Sequence, residues 1–330
     1  MLNVIALAMS IVSAALLVWL SIRARHIKYN SLKWGGICLA GVLAAVASVL
    51  SVIMIAGLYK LHSRSAPIPN LEVAAAAEQL QSGQAIANSF CGACHSKTGT
   101  LTGGVDIGHD LGVDSGHDLL VPFGSFIPPN LTPAGPLKNW SDGEIFRAIR
   151  NSVDADGHWM IIMSYTNAGK LSDDDMRALI AYIRTLPAAG QRTANAPDQL
   201  NLLGIVMLGA GLLPTGSPVF TGVITAPPKA TTDKYGEYLL SYQDCRKCHG
   251  ANLAGGVEGQ LGPIGPDLNL VKDWKLDEFI ATMRTGVDPN GRELSKQMPW
   301  RPIGKMDDVE LGAIYQYLTH LPNSQSPATK

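Results

Sequence analysis

The chain has 330 residues, 46% of them hydrophobic, with 26 Lys+Arg against 27 Asp+Glu and 5 Cys. That length is too great for one small domain and suits an anchor plus two domains of about 100 residues each. Residues 1–70 carry six basic and no acidic side chains, which leaves the other 260 with 20 basic and 27 acidic groups, a mildly acidic remainder that argues against nucleic acid as a partner.

The chain opens with two apolar runs, Asn3 to Ile22 and Trp34 to Leu58. Each is about 20 residues or longer, enough to cross the ~30 Å hydrocarbon core as a helix. A cleaved signal peptide is the competing reading of the first run. It fits poorly, because no positive charge precedes the run and no small-residue cleavage site follows it. The loop between the runs carries Arg23, Arg25, Lys28 and Lys33, which puts it on the cytoplasmic side and both termini outside. Trp34 and Tyr59 sit at opposite ends of the second run, where interfacial aromatics belong. Cys38, inside that run, reads as a small packing residue. His62–Pro69 is a short polar linker containing proline. The anchor is therefore 1–62, followed by a first domain over 71–190, a linker over 191–230 and a second domain over 231–324.

In the first domain, Val73–Phe90 has a helical pattern and leads into Cys91-Gly92-Ala93-Cys94-His95. Cys-x-x-Cys-His is the attachment signature of c-type haem: two thiols a helical turn apart each form a thioether with a haem vinyl group, and the adjacent His meets the iron. The signature recurs at Cys245-Arg246-Lys247-Cys248-His249. One chance match is expected on the order of 10⁻³ times in a chain of this composition, and two far more rarely. A zinc ribbon would pair two Cys-x-x-Cys motifs within about 15–20 residues, and a thioredoxin-like pair would need no following His. Four of the five cysteines are used here. Haem c attachment takes place outside the cytoplasm, so the domains belong outside, in agreement with the loop charges.

Thr98–Asp118 is Gly-rich and aperiodic, a loop in which His109 and His117 read as exposed loop histidines, with an extra metal as the alternative. Trp140 precedes a helix opened by a capping box of Ser141 and Glu144, with Ile145, Phe146 and Ile149 on its apolar face. A final helix opens at Ser172 with three Asp in its first turn and stops at Pro187. Gly157–Tyr165 lies between them and is the place for a distal iron ligand: Met160, Met163 and His158 are the candidates. In the linker, Leu200–Leu213 is an apolar run too short to span a bilayer. It covers the interface of the two domains, touches the membrane surface or meets a partner, and burial against protein is favoured. Pro227-Pro228-Lys229 then makes a stiff entry to the second domain.

The second domain repeats the first. Trp274–Arg284 lines up without gaps on Trp140–Arg150, and Met306–Pro322 on Leu171–Pro187. Its distal candidate is Met298, followed by Pro299-Trp300, and aligning Met-Pro-Trp on Met-Ser-Tyr selects Met163 as the counterpart. The ring N–H of each proximal His needs an acceptor, and the carbonyls of Pro129 and Pro266 are the candidates.

With these residues in hand, both halves resemble class I c-type cytochrome domains. The first, with PFGSFIPPNLTP, the Trp-Ser-Asp-Gly-Glu helix start and LSDDDMRALIAYIRTLP, is similar to domains in cytochrome c subunits of membrane-bound alcohol and gluconate dehydrogenases. The resemblance covers roughly residues 80–190 and 233–324. It implies an all-α fold, two N-terminal transmembrane helices followed by two class I cytochrome c domains. It also implies two covalently bound haem c groups: Cys91, Cys94, Cys245 and Cys248 carry thioethers, His95 and His249 are proximal, and Met163 and Met298 distal.

The expected function follows. This is a membrane-anchored dihaem electron carrier, not an enzyme in itself, passing single electrons between an integral membrane redox complex or dehydrogenase and another redox protein. It sits in a bacterial cytoplasmic membrane, contacts the lipid bilayer and holds its haem domains on the periplasmic side. The alternative is a dihaem enzyme, such as a peroxidase or thiosulfate dehydrogenase, in which one haem exchanges its distal ligand. A third reading makes the chain an anchoring subunit with structural haems.

Overall fold

A computed structural model describes residues 2–74, 76–107, 112–114, 120–192, 198–213, 215–258, 260 and 263–322. In chain order the helices are α1 (Leu2–Ala24), α2 (Asn30–Ser63), α3 (Ala77–Ile86), α4 (Gly92–His95), α5 (Asp142–Asn151), α6 (Ile161–Tyr165), α7 (Asp173–Thr185), α8 (Leu202–Ala210), α9 (Asp233–Tyr242), α10 (Cys245–His249), α11 (Leu276–Thr285), α12 (Trp300–Ile303) and α13 (Asp308–Thr319). Strands are few and short: β1 (Gly112–Asp114) pairs antiparallel with β2 (Leu120–Pro122), and β3 (Gly124–Ser125) with β4 (Gln199–Leu200). The protein is thus mainly helical, with two long apolar helices first.

Two compact units form. The first comprises Met1–Ser65, Asp106–Ile127 and Pro197–Thr215; the second comprises Ala66–Val105, Pro128–Ala196 and Gly216–Lys330. In the first, α1 and α2 make an antiparallel hairpin. Both are long and apolar enough to cross a membrane. Serines tie the pair: Ser51 Oγ donates to Ser10 Oγ at 2.9 Å, Ser10 Oγ to the Ala47 carbonyl at 3.2 Å and Ser21 Oγ to the Ile37 carbonyl at 3.3 Å. Hydroxyls serve this role between apolar helices, where side chains alone give little specificity. α8 packs on α2.

The second unit holds both repeated halves. In each half a first helix crosses a last helix, α3 on α7 and α9 on α13. A glycine sets each crossing. A Cβ on Gly83 would lie 2.0 Å from the Ala178 carbonyl oxygen, and one on Gly236 would lie 2.0 Å from that of Ala313. The caps read from the sequence are in place, Ser141 and Glu144 closing the α5 box and Ser172 Oγ accepting from the Asp175 amide, and a box of Asp307 and Glu310 opens α13 as well. Ile145, Leu171 and Leu179 of the first half join Leu239, Leu311 and Leu318 of the second in one continuous core.

Candidate haem-binding sites

Each Cys-x-x-Cys-His forms a single turn of helix, α4 or α10, which ends in a buried histidine. The entries differ. The first half arrives through a π-helical turn, Ala87–Cys91; the second through Asp244, whose φ of 61° is left-handed. Beyond the motif the halves coincide again. The His95 carbonyl accepts from Gly103 N and that of His249 from Gly255 N, both at 2.9 Å. Leu101 and Leu253, both buried and both with positive φ, accept from Leu131 N and Leu268 N, again at 2.9 Å.

That loop carries the anticipated acceptor to each histidine. His95 Nδ1 lies 2.8 Å from the Pro129 carbonyl oxygen, and His249 Nδ1 lies 2.8 Å from that of Pro266. The backbone comes so close that a Cβ on Gly265 would fall 2.7 Å from His249 Nδ1. With Nδ1 donating, the proton is fixed there and Nε2 is left as a basic nitrogen for a metal. Burial holds the His95 imidazole below its ordinary value, outweighing the Pro129 carbonyl, so it is neutral as a ligand must be. All four motif cysteines are free of disulfides, and burial pushes the Cys91 and Cys245 thiols up to about 12. Buried thiols of that kind are poor thiolates, unsuited to a redox pair, whereas a neutral thioether carries no charge to desolvate. The residues fit covalently held haem.

The segments expected to hold the distal ligands also correspond. Met160 N donates to Ser152 O at 2.9 Å, and Leu294 N to Gly286 O at 2.8 Å, so Met160 stands where the second half has Leu294. Met163 lies in α6, half-buried; Met298 is half-buried just before α12 and packs on the core. Arg150 Nη1 closes the first segment by donating to the carbonyls of Gly169 and Leu171 at 2.7 and 2.8 Å. Arg284 donates likewise to Gly304. His158 is exposed and engages Asp154: its amide donates to Oδ1 at 2.7 Å and its Nδ1 lies 3.3 Å from Oδ2. Arg292 fills the same role over buried Asp288 in the second half. His109 and His117 lie outside the described residues.

Comparison with known proteins agrees with this geometry. Residues 80–187 match the family described as Cytochrome c, and residues 234–318 match the one described as Cytochrome C oxidase, cbb3-type, subunit III. A protein of Cereibacter sphaeroides described as "Diheme cytochrome c-type" is 24% identical over 224 residues, 62% of this chain and 74% of the relative.

The chain is a dihaem class I c-type cytochrome. Two covalently bound haem c groups are its cofactors.

The interface between the two halves of this cytochrome was not legible in the motifs, and it adjoins both of them. Phe90, next to Cys91, meets Tyr242, three residues before Cys245, edge to face with ring centroids 5.8 Å apart. Asp244 Oδ1 accepts from Asn167 N at 2.9 Å and from Asn167 Nδ2 at 2.7 Å. Tyr238 Oη donates to Asp175 and accepts from Ser172 N at 2.8 Å. α12 packs on the π-helical turn before Cys91. Each distal segment of the cytochrome therefore abuts the stretch that enters the other half's attachment motif.

Proposed function

We propose that this cytochrome is a membrane-anchored carrier of single electrons between an integral membrane redox complex or dehydrogenase and another redox protein. The observation that carries the reading is the shared interface. Both attachment motifs border one packed seam, with Asp244 at the entry to the second motif hydrogen-bonded to Asn167 of the first half and Phe90 beside the first motif packed on Tyr242 of the second. Haem iron supplies the one-electron chemistry when bound. This chain's residues set its position and its surroundings.

In this reading Cys91, Cys94, Cys245 and Cys248 carry the thioethers. His95 and His249 ligate through Nε2, with Nδ1 held by Pro129 and Pro266. Met163 and Met298 close the distal sides; the match of Met160 to Leu294 supports Met163. The haem-bearing domains are 71–190 and 231–324, joined by 191–230. The anchor, 1–62, holds them to a bacterial cytoplasmic membrane, and the basic loop of Arg23, Arg25, Lys28 and Lys33 supports placing them on the periplasmic side.

Redox titration of the full chain in detergent, followed optically, tests the reading. Two reversible one-electron steps, with no binding of CO or cyanide to the native haems, are expected. Turnover of peroxide or thiosulfate by the isolated protein would replace the carrier with the dihaem-enzyme reading. Co-purification in mild detergent identifies the membrane partner.

A further inference from the structure

α8, the apolar helix between the two haem domains, contains none of the residues assigned to haem. Its nine residues carry no charged side chain. It approaches α2 more closely than side chains permit. A Cβ on Gly57 would fall 2.2 Å from the Ile205 carbonyl oxygen; one on Gly209 would fall 1.9 Å from that of Ile53 and 2.9 Å from Gly57 N. Close glycine contacts of this kind bring apolar helices together where no hydrophobic drive separates protein from surroundings. Contacts run in opposite order along the two helices, Ile205 at Gly57 and Gly209 at Ile53, so α8 is antiparallel to α2. Ile53 lies about 15 Å inside the Ser63 end of α2 at 1.5 Å per residue. The C-terminal end of α8 thus reaches deeper along α2 than its start.

The last carbonyls of α8 and the chain just before it are met from the anchor, while its first turn is capped by Asn201, whose Oδ1 accepts from Gly204 N at 2.9 Å. Lys60 Nζ donates to the carbonyls of Leu208 at 2.9 Å and Gly209 at 3.4 Å in the last turn of α8, where Leu208 also accepts from Gly211 N. Asn3 Nδ2 donates to the Leu200 carbonyl at 2.7 Å. Internal satisfaction of this kind is what a hydrocarbon environment demands of a backbone. The side turned away from α2 is apolar: Leu202 is exposed, Leu203 and Val206 are half-exposed along a shallow groove, and Leu212 is exposed just beyond. α2 exposes an apolar belt of its own, Val49 and Val52 among it.

We propose that α8 is a third membrane element, a half-depth helix bedded against α2 in the leaflet on the haem-domain side, with lipid acyl chains covering Leu202, Leu203, Val206 and Leu212. The proposal rests on the reading of α1 and α2 as spans. A nine-residue helix is about 13 Å long, close to one leaflet of a ~30 Å core. The face carries no charge, the side chain of Asn201 at its edge is taken up by Gly204 N and the Pro122 carbonyl, and the face continues the surface of the helices read as spans.

The test uses the full chain in lipid vesicles. With Cys38→Ser as background, a nitroxide is attached after Val206→Cys, Val52→Cys or Val309→Cys, and intact haem absorbance verifies folding. Accessibility to molecular oxygen is compared with accessibility to a water-soluble nickel chelate. At 206 the oxygen-to-chelate ratio should match that at 52 and exceed that at 309 several-fold. A ratio at 206 like that at 309, while 52 stays lipid-exposed, overturns the proposal and leaves the anchor intact. Low accessibility of 206 to both reagents overturns it in favour of a second copy or another protein. A wet label at 52 overturns the anchor reading and this proposal with it.

Discussion

Asp244 spends two things to hold the seam. Its backbone sits at φ 61°, which costs a non-glycine residue about 1 kcal/mol, and its carboxylate accepts both hydrogen bonds that Asn167 offers. Asp244→Ala keeps the strain and loses the bonds, and should destabilise the protein by about 2 kcal/mol in denaturant melts. Asp244→Gly relieves the strain and should cost less; equal losses would show that the backbone carries no strain, and an unchanged stability in Asp244→Ala that the bonds contribute nothing. The ligand assignment belongs to the same scale. Met298→Ala and Met163→Ala should each remove about half of the sulfur-to-iron absorption, whereas Met160→Ala should leave it whole. Loss with Met160 and retention with Met163 would reverse the choice in the first domain. The carbonyl partners of His95 and His249 were legible in the sequence, because attachment chemistry fixes the spacing and Pro marks the loop. The partner of His158 was not legible: only the correspondence of Asp154-His158 to Asp288-Arg292 identifies it as the side chain that meets the loop's buried aspartate.

Among elements, the helices with caps and apolar periodicity, α5 and α7, were read directly, since those patterns arise from local backbone satisfaction and one buried face, and α13 followed from its alignment on α7. The crossings were not, because a glycine in a helix says nothing about which backbone approaches it. Gly83 and Gly236 take the same place in the two halves, each with a carbonyl of the last helix 2.0 Å from where a Cβ would be. Gly83→Ala or Gly236→Ala must push these helices apart, at about 1–3 kcal/mol each in spite of the better helix propensity of alanine. A lowered denaturant midpoint with unchanged slope checks this, and a raised midpoint would sink it. α8 shows a different limit. Its apolar run was assigned to burial against protein, and it does pack on α2; composition gave no hint that the protein in question would be the anchor.

At the scale of the whole chain, the two halves share one core and exchange contacts crosswise. A protease site introduced at exposed Val223 would cut the covalent path between them. The two fragments should still elute together on size exclusion without denaturant, each with its haem. Separation would mean that the connecting peptide, and not the seam, holds the halves. Residues from the first half's distal segment meet the second half's motif entry, and the second half's distal segment meets the first's. That is the self-complementary pattern of a two-fold dimer, in which one patch serves both partners. The arrangement is the one expected had a single-haem ancestor paired with itself before its coding sequence was doubled and fused. Seen so, the small asymmetries, a π turn on one side and a left-handed aspartate on the other, are where the fused copies have begun to diverge.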